Sequence, residues 1–326
     1  MYKISYRAIA ITTVAMASFF MAAIQPLGYS PDYSQYEYFF QQLRLGLKFG
    51  ETRFEPGFVL ISAFFTNFIQ SNVVVYAMLV LLSVSLKLHF CIRRTSIGVA
   101  ATVAIFYFFK FLPLHELTQL RVAMAAALMV GAFHYASIGY RSKALAIFLV
   151  GFLFHYSALI LAPFLFLLNL NRLKLFIFSI FTFVALSLTG SFINVTAGTI
   201  FQVFAMYENP TFGERPLNPF SPVFFPEFFL IICSLYMWRD LTMRMKQVIV
   251  FQIFGFAVFF AILEYNVIAV RGREFFSVMW LFYIADLKSA RFRIKLITGL
   301  FVFSSIVLSI YLFFSGNFFT PASDWP

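Results

Sequence analysis

Three arginines, Arg121, Arg271 and Arg273, stand out in a chain that carries 24 basic and 13 acidic residues among 326. Arg121 closes the polar stretch "LHELTQLR", which sets His115, Glu116 and Gln119 between two apolar runs, and Arg271 and Arg273 bracket a glycine in "VRGREFF" with Glu264 and Glu274 to either side. A guanidinium stays charged and donates paired hydrogen bonds from a planar fork, so arginine suits phosphate better than any other side chain. Three of them on one side of a membrane could converge on one anion, and a diphosphate fits that description. The plainer alternative is an Arg–Glu pair anchoring a helix end. Asp32, directly after Pro31, is either a helix cap or a loop carboxylate able to take a proton from a hydroxyl. Glu55 precedes Pro56 at the start of a short helix, where the helix dipole favours a carboxylate. His155, in "FLFHYSALILAP", is a lone polar group in an apolar run: a packed core residue, or a functional one facing a wet cavity. Tyr33, Tyr36 and Tyr38 offer aromatic stacking faces, and an interfacial aromatic belt explains them equally well. Neither a metal-ligand set nor a Gly-rich phosphate loop is present, so no metal and no cofactor is expected.

These residues must be positioned by membrane helices. The chain is 62% hydrophobic and 11% charged with mean hydropathy +0.88, against about 45–50% apolar and about 25% charged for soluble domains. The reading is an all-α integral membrane protein, a single polytopic bundle over residues 1–326 with about 10–12 spans. Spans are expected at Ala8–Leu27, Val73–Phe90, Ile97–Leu112, Leu120–Tyr140, Leu175–Thr189, Phe224–Trp238, Val248–Leu263, Phe275–Leu287 and Leu296–Phe314. The first run follows Lys3 and Arg7 as a signal peptide would, but its length favours a retained helix. Ala144–Leu168 is one long helix or two short ones meeting near "FHYSA". Cys91 and Cys233 match no metal or redox spacing.

Lys and Arg concentrate on the cytoplasmic side of span ends. With Gly57–Ile69 left uncrossed and Ala144–Leu168 split at His155, the clusters Lys3/Arg7, Lys87/Arg93/Arg94, Arg141/Lys143, Arg172/Lys174, Arg239/Arg244/Lys246 and Lys288/Arg291/Arg293/Lys295 fall inside, 16 of the 24 basic residues, and only Asp240 and Asp286 among the acids join them. Letting Gly57–Ile69 cross would invert the clusters that follow. The net charge of +11 is therefore a cytoplasmic-face property, and no nucleic-acid partner is implied. The N-terminus is expected in the cytoplasm, with "LHELTQLR" an outer loop. Residues 28–72 form a first outer loop. In it, Tyr36, Phe39, Phe40, Leu43 and Leu47 recur at helical spacing opposite Glu37, Gln41, Arg44 and Lys48, predicting an interfacial amphipathic helix before the short non-crossing one.

The succession "DYSQYEYFF", "RFEPGF", "QLRVAMAAAL", "FLFHYSALILAPFLFL" and "RGREFF" resembles the EpsG family of exopolysaccharide and O-antigen polymerases over most of the chain. Asp32, Glu55, Arg121, His155 and Arg271 match positions that recur in the family pattern. Val122 stands where members often carry Gln, so a hydrogen bond from that Gln is absent or moved to Gln119. The resemblance implies a multi-pass Wzy-type enzyme of the bacterial inner membrane. It would join polyprenyl-diphosphate-linked oligosaccharide repeats on the outer side, with the bilayer as its other partner and a chain-length regulator left open. An acceptor hydroxyl would attack the anomeric carbon while Arg121 and Arg271, with Arg273, stabilise the departing diphosphate. Glu55, Glu116, Gln119 and Tyr33 would line the substrate, and Asp32 or His155 would take the proton, Asp32 being favoured because a loop is open to a sugar. Two other classes use related chemistry. A flippase for the same lipid needs a cavity open to both faces, which the one-sided acids disfavour, and a membrane sugar acyltransferase needs a catalytic histidine within a span.

Overall fold

A computed structural model describes residues 6–24, 32–47, 52, 54–93, 95–162, 165, 222–263 and 266–314, with the backbone alone described at Arg271. The expected span Leu175–Thr189, the Arg172/Lys174 cluster and Glu264 lie outside these residues. The described residues are helical, with no strand among them. Five helices are long and apolar enough to cross a membrane: α1 (Tyr6–Ala23), α4 (Asn72–Ile92), α6 (Leu120–Ser137), α9 (Met243–Ala261) and α12 (Phe292–Phe314). Shorter helices fill the gaps: α2 (Tyr33–Arg44), α3 (Pro56–Phe68), α5 (Ile97–Phe106), α7 (Arg141–Phe154), α8 (Phe225–Tyr236), α10 (Asn266–Ser277) and α11 (Trp280–Ala285).

Sequence and packing agree on which helix is central. The first half of α6 reads LRVAMAAAL, and such small residues let neighbouring backbones approach closely where lipid gives no hydrophobic drive between helices. It is the most enclosed of the five long helices, against α4 on one side and α7 on the other. By contrast, Phe292, Leu296, Leu300, Phe303, Val307 and Tyr311 leave one stripe of α12 exposed, the surface a lipid-facing helix presents.

Three departures from the expected elements matter. First, α5 runs into a π-helical stretch over Tyr107–Glu116 that contains Pro113, where the proline cannot donate its backbone bond and the widened turn accommodates it. "LHELTQLR" is therefore not an open outer loop: His115 and Glu116 are fully buried. Second, the stripe expected to lie in the lipid interface packs on protein instead. Tyr36 contacts Phe58 of α3 and Tyr76 of α4, and Arg44 bonds Asn72 Oδ1 and, at 2.8 Å, the Ile69 carbonyl. Third, the expected span Phe275–Leu287 is broken at residues 278–279, between α10 and α11.

The connections sort the helix ends onto faces. Tyr6 Oη donates to the Thr95 carbonyl at 2.7 Å, setting the start of α1 beside the end of α4. Thr242 Oγ1 donates to Asp286 at 2.6 Å and Arg291 pairs with Asp240 at 2.5 Å, joining the turns before α9 and α12. Phe282 of α11 stacks on His134 near the end of α6, so these turns share a face with that end. The helix α3, at 13 residues about 20 Å long, is too short to cross the hydrocarbon core of about 30 Å.

Candidate active site

Helix register sets the depth of the site. Ser83 of α4 donates to the Ala123 carbonyl at 3.0 Å, and Phe90 lies against Gly131, so α4 and α6 run parallel. Ser83 is eleven residues into α4 but Ala123 only three into α6. At about 1.5 Å per residue, α6 therefore begins about 12 Å below the start of α4. The start of α6 is thus set back from that of α4, and two other helix ends meet it at this recessed level. The helix α3 rises from it, antiparallel to α4, and its N-terminal end places Glu55 there. The helix α7 returns antiparallel to α6 and stops at Phe154, because His155 is extended (φ −162°, ψ 119°) before a 3-10 turn over Tyr156–Leu161. The expected break near "FHYSA" is this one.

At the floor the Glu55 carboxylate is held between a guanidinium and an imidazole. Arg121 Nη1 donates to Glu55 Oε2 at 2.7 Å, and His155 Nδ1 lies 2.6 Å from Glu55 Oε1. Because a carboxylate only accepts, Nδ1 carries the proton and Nε2 is left as the ring's basic nitrogen. Burial works to raise the Glu55 pKa, but the hydrogen bond from His155 and the charge of Arg121 outweigh it and hold the group below its ordinary value. The residue occupies the N-cap of α3 without a side-chain cap bond, so its carboxylate serves Arg121 and His155 and not its own helix. The starts of α3 and α6 both bring positive dipole ends to the recess, which favours an anion.

Two aromatic groups frame Arg121. Its guanidinium lies 4.8 Å from the centre of the Phe54 ring, and its charge acts on the nearby Tyr36 hydroxyl. Burial pushes the Tyr36 phenol up by more than Arg121 lowers it, so the group stays neutral. Asp32 lies one turn before Tyr36, half-buried, close enough for its charge to act on Tyr36. It is the N-cap of α2 without a side-chain cap bond, so the capping role considered for it is not realised. Arg271 is placed by its backbone one helical turn before Phe275, whose ring centre is 6.3 Å from that of His155. The neighbouring Gly272 packs on Ile160, so this part of α10 borders the recess.

Three residues expected to line the substrate, Glu116, Arg273 and Tyr33, are enclosed within the bundle, while Gln119 stays at the start of α6 near Arg121. Glu116 is buried against Lys87 Nζ (2.5 Å) and Ser83 Oγ (3.1 Å), while its carbonyl accepts from Tyr76 Oη. This also withdraws Lys87 from the cytoplasmic cluster expected for it. Arg273 is 3% exposed and consumed by Glu227, by Gln252 Oε1 at 2.8 Å and by the Phe256 ring. Glu227 also takes Lys110 at 2.6 Å and Ser277 at 2.8 Å, so this network ties α8, α9 and α10 together instead of facing a ligand. Gln119 reaches Glu274 at 3.5 Å. The Tyr33 ring is buried edge-on against Tyr76, which removes it as a stacking face. Sequence reasoning missed the roles of Phe54, Lys87 and Glu227: an aromatic or a lone charge in an apolar run carries no mark of its partner.

Comparison with known proteins bears on the whole chain. No curated protein and no solved structure matches it. The EpsG family model matches residues 9–323, and at that coverage the chain belongs to the EpsG family, a Wzy-like polymerase family.

Proposed function

We propose that this protein is a polysaccharide polymerase that joins polyprenyl-diphosphate-linked oligosaccharide repeats at the recess between α3, α6 and α7. The observation that carries the proposal is the Glu55 carboxylate bridging Arg121 and His155. A catalytic base needs an orienting partner, and Glu55 supplies one to His155. The acceptor hydroxyl attacks the anomeric carbon and its proton passes to His155 Nε2. The bond from that carbon to the diphosphate oxygen breaks, and the electron pair leaves with the polyprenyl diphosphate. Glu55 stabilises the imidazolium that forms, and Arg121 with Arg271 stabilises the charge gathering on the leaving group. Asp32 orients the acceptor sugar from the rim. The positive-inside distribution directs the recess outward from a bacterial inner membrane, with the N-terminus in the cytoplasm.

The test is polymer length in cells that depend on this gene, with membrane protein level checked by blot. Arg121→Lys keeps the charge but loses the fork, and the expected loss is about 10²–10³ in turnover, leaving single-repeat product. Arg271→Lys fails alike, and His155→Gln abolishes polymer. Normal ladders from Arg121→Lys at equal expression refute the diphosphate role. Movement of the lipid-linked repeat across the membrane without lengthening points instead to a flippase, and acylated sugar to an acyltransferase.

A further inference from the structure

Beside the recess, the structure holds a second, open cavity of about 500 Å³ lined by Ser34, Gln35, Tyr38, Phe39, Gln42, Leu47, Thr52 and Phe54. Gln35, Tyr38, Phe39 and Gln42 fall at i, i+3, i+4 and i+7, one face of α2, while Tyr33, Tyr36 and Phe40 bury the other against the bundle. The packing of α2 thus spends its most apolar face on protein and leaves this one turned to the cavity. We infer that this cavity is a saccharide subsite, which holds the neutral sugar rings of the glycan substrate next to the reacting centre.

Three observations select a sugar over other occupants. Among the described residues the lining holds two carboxamides, two hydroxyls and a phenol, a set that can donate to and accept from a polyol. The Tyr38 ring is 64% exposed, an aromatic face open to stacking on the apolar side of a sugar. The volume lies within the range of about 300–1,000 Å³ typical of small-molecule sites, room for a short oligosaccharide. The floor is the pair Phe39 and Phe54, with ring centres 4.2 Å apart. Phe54 is also the ring over which Arg121 lies, so one side chain separates the sugar subsite from the site proposed for the diphosphate. A glycan seated against Phe54 has its reacting end at Arg121, Glu55 and His155, as one linked to a diphosphate requires.

The origin of the glycan rests on the polymerase reading, but binding can be measured without it. The probe is the lipid-free repeat oligosaccharide, released by mild acid from the lipid-linked pool of the host cell and titrated by saturation-transfer NMR against the full chain in nanodiscs. Gln35→Ala and Tyr38→Ala each weaken binding about tenfold, the worth of one hydrogen bond or one stacking face. Tyr38→Trp restores it, and Gly98→Ala, whose Cβ meets nothing within 4 Å, leaves it unchanged. In polymerisation the same two variants raise KM with kcat retained. Wild-type binding by Gln35→Ala and Tyr38→Ala overturns the subsite while leaving the polymerase intact. Binding that is lost in these variants, in a chain that never lengthens the lipid-linked repeat, supports the subsite and removes the polymerase. No binding of the oligosaccharide to the wild-type chain overturns the subsite as well.

Discussion

Gly57→Ala tests whether the contact of α3 with α7 positions the catalytic pair. A Cβ at Gly57 would lie 2.8 Å from the Leu153 carbonyl oxygen and 3.0 Å from Phe154 Cδ2. Backbone cannot swing aside as a side-chain tip does, and ordinary contact begins at 3.4 Å, so the start of α3 must retreat by about 0.6 Å. Glu55, two residues earlier, moves with it, and its 2.6 Å contact with His155 lengthens to about 3.2 Å, beyond the charge-assisted range of about 2.7–2.9 Å. Since a misplacement of about 1 Å can cost about 10²-fold, a shift of this size should lower kcat about tenfold. Overpacking destabilises by about 1–3 kcal/mol, which a bundle of this size should survive. The assay is turnover of a polyprenyl-diphosphate-linked repeat by the full chain in nanodiscs, with thermal unfolding followed in parallel. Gly98→Ala, whose Cβ would meet nothing within 4 Å, is the control and should match the wild type. An unchanged kcat for Gly57→Ala at normal protein level refutes the positioning argument.

The buried pair Lys87–Glu116 yields a second expectation: Lys87→Met or Glu116→Gln alone destabilises by about 3–5 kcal/mol, and Lys87→Met with Glu116→Leu recovers most of it; harmless single variants in thermal unfolding contradict the pairing. The lowered pKa of Glu55 makes a third. A carboxylate depressed in the folded chain contributes stability that is present above its unfolded value, 4.5, and lost as pH falls through the folded one. The melting-temperature gap between wild type and Glu55→Gln should therefore be full at neutral pH and close in acid, and a gap independent of pH speaks against an ionised Glu55. Topology supplies the fourth: a cysteine at Thr118 should react with an impermeant thiol reagent from outside and one at Ser142 should not, the reverse pattern inverting the orientation.

Composition and periodicity determined that the chain is an all-α membrane bundle, because burying apolar helices in lipid depends on local sequence alone. The charge pattern also pointed to Gly57–Ile69 as a short non-crossing helix and to a split of Ala144–Leu168 at His155, and the structure has both the short α3 and that break. The recurring residues Glu55, Arg121 and His155 were legible as candidates too. Their arrangement was not. That Glu55 is the hub and not a helix cap follows from α6 starting about 12 Å below α4, a register fixed by side-chain packing between helices distant in sequence. Likewise Arg273 and Arg121 read as equivalent phosphate ligands, yet Arg273 is enclosed against Glu227, 46 positions away, while Arg121, paired with Glu55, keeps 21% of its side chain exposed. The type of a charged residue states what it can bind, and only the tertiary structure decides whether the protein has already bound it.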